Sequence, residues 1–245
     1  EIDDEEEYLY ADCAIKVGLR ASCRKGSMKM VEFFLEKAET LSLDYLNCSM
    51  ETACECGHAD VVKALISKGA DGLSEGLTAA CNHEQLKTAT LMLELGVDQF
   101  SLDDLNNEFV YVCKNGAVQI AKLLIDHASM HHSDRLDLAR GLIIASKNND
   151  FELVKMLVNN GATNINKCLR KTTDKKIVLF LLEHGADIDK CKIDLNMMDL
   201  VHLYNHGIRD FGDSHDVDSV VAMINSMKDM MSIVTALTNL CIGYI

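Results

Sequence analysis

The stretch Gly57-His58-Ala59-Asp60-Val61-Val62-Lys63-Ala64-Leu65-Ile66-Ser67-Lys68-Gly69-Ala70-Asp71 carries a helix start, an amphipathic helix and a glycine stop. Val61, Val62, Leu65 and Ile66 fall at helical spacing, so they share one face. Gly57 and Gly69 stand where a helix end needs a left-handed or tight backbone. A helix this short cannot bury its stripe by itself. It needs neighbours of the same kind.

Those neighbours are present. The 12-residue step from Gly57 to Gly69 recurs from Gly26 to Ala38, Glu84 to Gly96, Gly116 to Ala128, Asn149 to Gly161 and Thr173 to Gly185. Inside these windows Phe34-Leu35, Leu65-Ile66, Met92-Leu93, Leu124-Ile125, Leu157-Val158 and Leu181-Leu182 hold one register. Upstream of the first anchor a second helix is expected. Its large apolar position is Leu19, Met50, Leu77, Phe109 or Leu142, and a close-packing position is Cys23, Cys54, Cys81 or Cys113. The closing anchors, Ala38, Gly69, Gly96, Ala128, Gly161, Gly185 and Gly207, lie 22 to 33 residues apart. Such periodicity is the mark of a stacked repeat array.

Composition agrees with a helical reading. The 245 residues include no proline and no tryptophan, so short turns must join helices around an aliphatic core. The net charge of −14 repels phosphate backbones and argues against general nucleic-acid binding. The charge is uneven: residues 161–192 carry seven basic and four acidic groups, a local basic patch in an acidic chain. No eighteen-residue apolar run stands in the sequence, so no membrane span is expected. Ten cysteines without a secretory-type N-terminus point to a reducing, cytoplasmic compartment.

The repeat resembles the ankyrin repeat over about residues 8–208. The residues that carry the likeness are Gly57-His58, Val61-Val62-Lys63, Leu65-Ile66 and Gly69-Ala70-Asp71, with Gly161-Ala162 and Gly185-Ala186-Asp187 repeating the ending. The family's usual Thr-Pro-Leu-His opening is replaced by Val17-Gly18-Leu19-Arg20, Cys48-Ser49-Met50-Glu51 and Glu75-Gly76-Leu77-Thr78. The resemblance implies an all-α ankyrin-repeat solenoid of about six to seven helix-turn-helix units. Residues 1–12 are expected as an acidic segment or cap and 13–208 as the array. Residues 209–245 are expected as a Met-rich helical cap or docking segment. The proline-free texture is similar to ankyrin arrays of large DNA viruses and intracellular microbes, which implies a host-interaction role.

Chemistry finds little support. Cys54, Cys56 and His58 are close, but Cys54 belongs to the recurring packing position and His58 follows an anchor glycine, so no metal site is assigned. His127, His184 and His206 each precede an expected helix-ending residue, where an imidazole suits the helix dipole. His131-His132 lies in an expected inter-repeat loop and is a candidate contact. No nucleophile elbow, phosphate loop or dinucleotide fingerprint stands in the chain, so no catalytic residue and no cofactor are assigned.

Function is therefore expected as a non-catalytic scaffold that binds a protein partner through the concave surface. Exposed candidates on the inter-repeat fingers and the basic patch are Tyr45, Phe100, Asp103, Asp104, His132, Arg135, Lys167, Arg170 and Lys190. The acidic front of the array predicts a partner with a basic segment. An alternative is a substrate-recruiting ubiquitin-ligase adaptor. Leu237, Cys241 and Ile245 match the Leu-x-x-x-Cys-x-x-x-aliphatic box by which some ankyrin proteins recruit the elongin B–C adaptor.

Overall fold

The computed structural model describes residues 4–38, 41–132 and 135–187, together with positions 199, 203, 221, 222 and 225. Side chains are described from Cys13 onward. Among the described residues the secondary structure is α-helical, with no strand. The helices are α1 (Asp4–Lys25), α2 (Met28–Lys37), α3 (Leu43–Glu55), α4 (Ala59–Ser67), α5 (Leu73–Asn82) and α6 (Leu86–Leu95). They continue with α7 (Leu102–Asn115), α8 (Val118–His131), α9 (Leu138–Lys147), α10 (Phe151–Asn159), α11 (Ile165–Leu169) and α12 (Lys175–Glu183). No helix among the described residues is long and apolar enough to cross a membrane.

The chain divides into two compact units, Glu1–Asp137 and Leu138–Ile245. In the first, α1, α3, α5 and α7 pack in sequence as an inner row. Helices α2, α4, α6 and α8 pack in sequence as an outer row, and each lies against the inner helix that precedes it. In the second unit α9 pairs with α10 and α11 with α12, while α9 touches α11 and α10 touches α12. α11 has only five residues, so the shortened late repeat loses most of its inner helix.

The core is the one the repeat register predicts. Leu19, Met50, Leu77 and Phe109 are buried in the first unit and Leu142 in the second. Cys23, Cys54, Cys81 and Cys113 are buried too. These thiols are small enough to let successive inner helices approach. Burial pushes Cys23, Cys54 and Cys81 up to about 12, which keeps them protonated and inert.

The first anchor of five units adopts the left-handed conformation: Gly26, Gly57 and Gly116, but also Glu84 (φ 56°) and Asn149 (φ 56°). The turn geometry thus survives where glycine does not. Asn149 tolerates it well, because a short amide side chain can bond nearby backbone. Its Oδ1 accepts from the Thr173 and Asp174 N–H groups at 3.0 and 3.2 Å.

The closing anchors are less uniform. Gly69, Gly161 and Gly185 have positive φ. Ala38 (φ −74°) and Gly96 (φ −104°) do not. Ala128 is no terminus, because α8 continues to His131. His127 therefore sits inside the helix and is buried, rather than at the helix end. His184 does end α12, with Nδ1 at 2.8 Å from the Phe180 carbonyl.

Candidate protein-interaction face

The finger segments expected around Tyr45, Leu73–Glu75 and Phe100–Asp104 lead into or form the first turns of inner helices. Ser42 caps α3 by accepting from the Tyr45 N–H at 3.3 Å. Leu73–Glu75 is already helical in α5. Ser101 caps α7 in a reciprocal box: its hydroxyl accepts from the Asp104 N–H (3.2 Å), and the Asp104 carboxylate accepts from the Ser101 N–H (3.1 Å). Polar residues that would decorate a loop tip instead close helix ends.

Asparagines on inner helices tie down three of the turns that follow the outer helices. Asn47 Oδ1 accepts from the Asp71 and Gly72 N–H groups at 2.9 and 3.1 Å, and its Nδ2 donates to Asp71 Oδ1 at 3.0 Å. Asn106 Oδ1 accepts from the Asp137 N–H at 2.8 Å. In the second unit Asn166 Oδ1 accepts from the Asp187 N–H at 2.7 Å. Sequence reasoning passed over these residues. The signal was the Gly-Ala-Asp ending at 69–71 and 185–187, whose Asp N–H needs an acceptor from the inner helix.

The predicted contact residues divide by burial. Asp103 and Asp104 stand exposed at the start of α7, and Arg135 is exposed in the segment after α8. Lys167 and Arg170 are exposed at the end of α11. Phe100 is not exposed: it retains only 4 % of its accessible surface. Gly96 makes this burial feasible, because a Cβ there would lie 2.9 Å from Phe100 Cζ. The glycine provides space, and the ring becomes core.

Tyr45 is half-buried and bridges two repeats. Its hydroxyl donates to the Lys16 carbonyl, and the Lys16 ammonium lies 6.0 Å from its ring centroid. Its function is first of all to join α3 to α1. His131 is the last residue of α8, and His132 is its half-buried C-cap in extended conformation. Nε2 of His132 and Nε2 of His127 are enclosed without a hydrogen-bond partner among the described residues. His127 and His131 stack with ring centroids 4.6 Å apart. His58 is held by the preceding repeat, with Nε2 3.1 Å from the Arg24 carbonyl. Lys190, Leu237, Cys241 and Ile245 lie outside the described residues, as do His206 and the Met-rich stretch assigned to a cap. In the basic patch, the Lys175 ammonium pairs with the Asp199 carboxylate at 2.5 Å.

From α2 to α8, charge is segregated between the two rows; α1 is mixed, with Lys16, Arg20, Arg24 and Lys25. Helix α3 carries Asp44, Glu51 and Glu55, α5 carries Glu75, and α7 carries Asp103, Asp104 and Glu108. Against these seven carboxylates stands a single basic residue, Lys114. The outer helices are balanced. Lys29 and Lys37 match Glu32 and Glu36 on α2, Lys63 matches Asp60 on α4, Lys87 matches Glu94 on α6, and Lys122 matches Asp126 on α8.

A recess of about 170 Å³ opens on this acidic row between α5 and α7. Leu77 and Phe100 supply apolar lining, and Ser74, Thr78 and Asn107 add neutral polar groups. Asp104 and Glu108 contribute carboxylates one helical turn apart. The Thr78 hydroxyl donates to Glu108 Oε1 at 2.5 Å. Burial raises the Glu108 pKa, the Thr78 hydrogen bond opposes that shift, and the Asp104 charge adds to it; no cation contributes.

The comparisons with known proteins converge on the same architecture. The ankyrin repeat family model matches residues 50–74, the unit read first from the sequence. The chain is similar to the crystal structure of the human ASB11 ankyrin repeat domain. That likeness has a TM-score of 0.52 and 16 % identity, and covers 84 % of this chain and 96 % of that one. No curated protein matches the chain. The chain thus contains an ankyrin repeat at residues 50–74, set in an all-α fold of repeated helix pairs that is similar to the ankyrin solenoid.

Proposed function

We propose that the chain is a non-catalytic scaffold that binds a protein partner along the inner helices α3, α5 and α7. The segregation of charge supports this reading. An acidic surplus that served only solubility would have no reason to avoid the outer row. Here the outer helices are balanced, whereas α3, α5 and α7 hold seven carboxylates against one lysine. Complementary fields of this kind steer a partner and set its register. The face also rests on a buried framework, so little ordering accompanies binding.

The test is a comparison of two charge-removing pairs. A partner captured from lysate by the wild-type chain should be lost from Glu51→Gln/Glu75→Gln. It should be retained by Asp60→Asn/Glu94→Gln on the outer row. Equal losses in both pairs, or no loss in the first, would overturn the assignment of the face. The adaptor alternative is supported by the sequence spacing of Leu237, Cys241 and Ile245. It predicts co-purification with elongin B–C that Leu237→Ala or Cys241→Ala abolishes; co-purification unchanged by both, or none at all, removes it.

A further inference from the structure

We infer that the recess between α5 and α7 receives a lysine or arginine side chain of the partner. The inference rests on the reading of the inner-helix face as the binding surface, and it names the chemistry that the face selects. A long basic side chain has two parts, an apolar stem and a charged head. The recess offers a counterpart to each: a floor closed by the edges of the otherwise buried Leu77 and Phe100 for the stem, Glu108 and Asp104 for the head. Glu108 is half-buried, and among the described residues no cation acts on it. A carboxylate withdrawn from water without a countercharge is unfavourable, and an arriving ammonium or guanidinium relieves that. Thr78 holds one oxygen of Glu108 in place through its 2.5 Å bond and leaves the other for the incoming donor. Asp104 is held by its capping box, so its charge is also positioned before binding. The surrounding inner row carries five further carboxylates on α3, α5 and α7. Neighbouring basic residues of the same segment would therefore be favoured as well.

The test uses the full chain and two fluorescein-labelled Gly/Ser dodecapeptides, read by anisotropy at low salt. One peptide carries four lysines and the other four norleucines, which keep the stem and lose the charge. The lysine peptide should bind at least about tenfold more tightly than the norleucine peptide, and more weakly as salt is raised. Glu108→Gln should weaken the lysine peptide about tenfold, as loss of a partly desolvated charge pair does. Glu94→Gln, an equal charge change on outer helix α6, should alter it less than twofold. Gln keeps an acceptor for Thr78, and a thermal melt of each variant verifies the fold. Failure of the lysine peptide to bind, equal binding of both peptides, or equal effects of Glu108→Gln and Glu94→Gln would overturn the inference. If the captured partner is lost with Glu51→Gln/Glu75→Gln yet indifferent to Glu108→Gln, the face stands and the recess falls. Indifference of that partner to all of these variants removes the face itself.

Discussion

Replacing Asn47 with alanine should be the most damaging polar substitution in the first unit. Three hydrogen bonds depend on this one side chain: two accepted from the Asp71 and Gly72 N–H groups and one donated to Asp71 Oδ1. Asn47 is half-buried and the turn it holds leads into α5. A net contribution of about 1 kcal/mol per bond, reduced for partial water access, predicts a loss of about 2 kcal/mol. Asn47→Asp makes the reasoning sharper. It retains the acceptor for both N–H groups but sets a second carboxylate against Asp71. Its deficit should therefore be larger at pH 7 than at pH 4, where the pair can hold a proton. Urea unfolding followed by circular dichroism measures both variants, with Asn159→Ala, an exposed position on α10, as control. A loss within about 0.5 kcal/mol of wild type for Asn47→Ala would refute the idea that these asparagines hold one repeat to the next.

Other expectations follow from the same structure. Gly96→Ala should destabilise by about 1–3 kcal/mol through collision with the Phe100 ring, and Phe100→Ala in the same chain should remove most of that increment, as a double-mutant cycle in urea would show. Burial, reinforced by the charges of His131 and His132, lowers the His127 pKa below its ordinary 6.5. Its neutral form is the one the fold accepts. Its contribution is complete above about pH 6.5 and is lost as pH falls through the depressed value; His127→Leu should flatten the stability profile between pH 7 and 5. Thiol labelling of the native chain at pH 8, mapped by mass spectrometry, should modify Cys13 and Cys48, which are exposed, well before Cys23, Cys54 and Cys81. Rapid labelling of the buried three would mean that the inner row opens readily.

Much of the architecture was legible because each repeat states the same local rule. Register alone placed Glu84 and Asn149 at tight or left-handed helix ends, and both are left-handed; Thr173, placed by the same register, is not. The buried series Leu19, Met50, Leu77, Phe109 and Leu142 follows from one apolar position read in successive units. The 24-residue interval from Gly161 to Gly185 leaves room for only a trimmed inner helix, and α11 has five residues. These are short-range properties, set by helical periodicity and by what a chain reversal requires.

What the sequence could not disclose was the direction of individual side chains near the turns. Phe100 has the composition of a surface anchor and is core, because Gly96 leaves room for its ring. Tyr45 turns back to the Lys16 carbonyl, and Asn47 reaches a turn 24 residues away. Asp104 and Glu108 are one turn apart in any helical reading, yet only packing of α7 on α5 brings Thr78 to Glu108 and shapes the recess between them. Local periodicity thus determines which residues form the stack. The contacts between repeats decide which of the remaining ones face a partner, because burial and hydrogen-bond pairing arise only when two units meet.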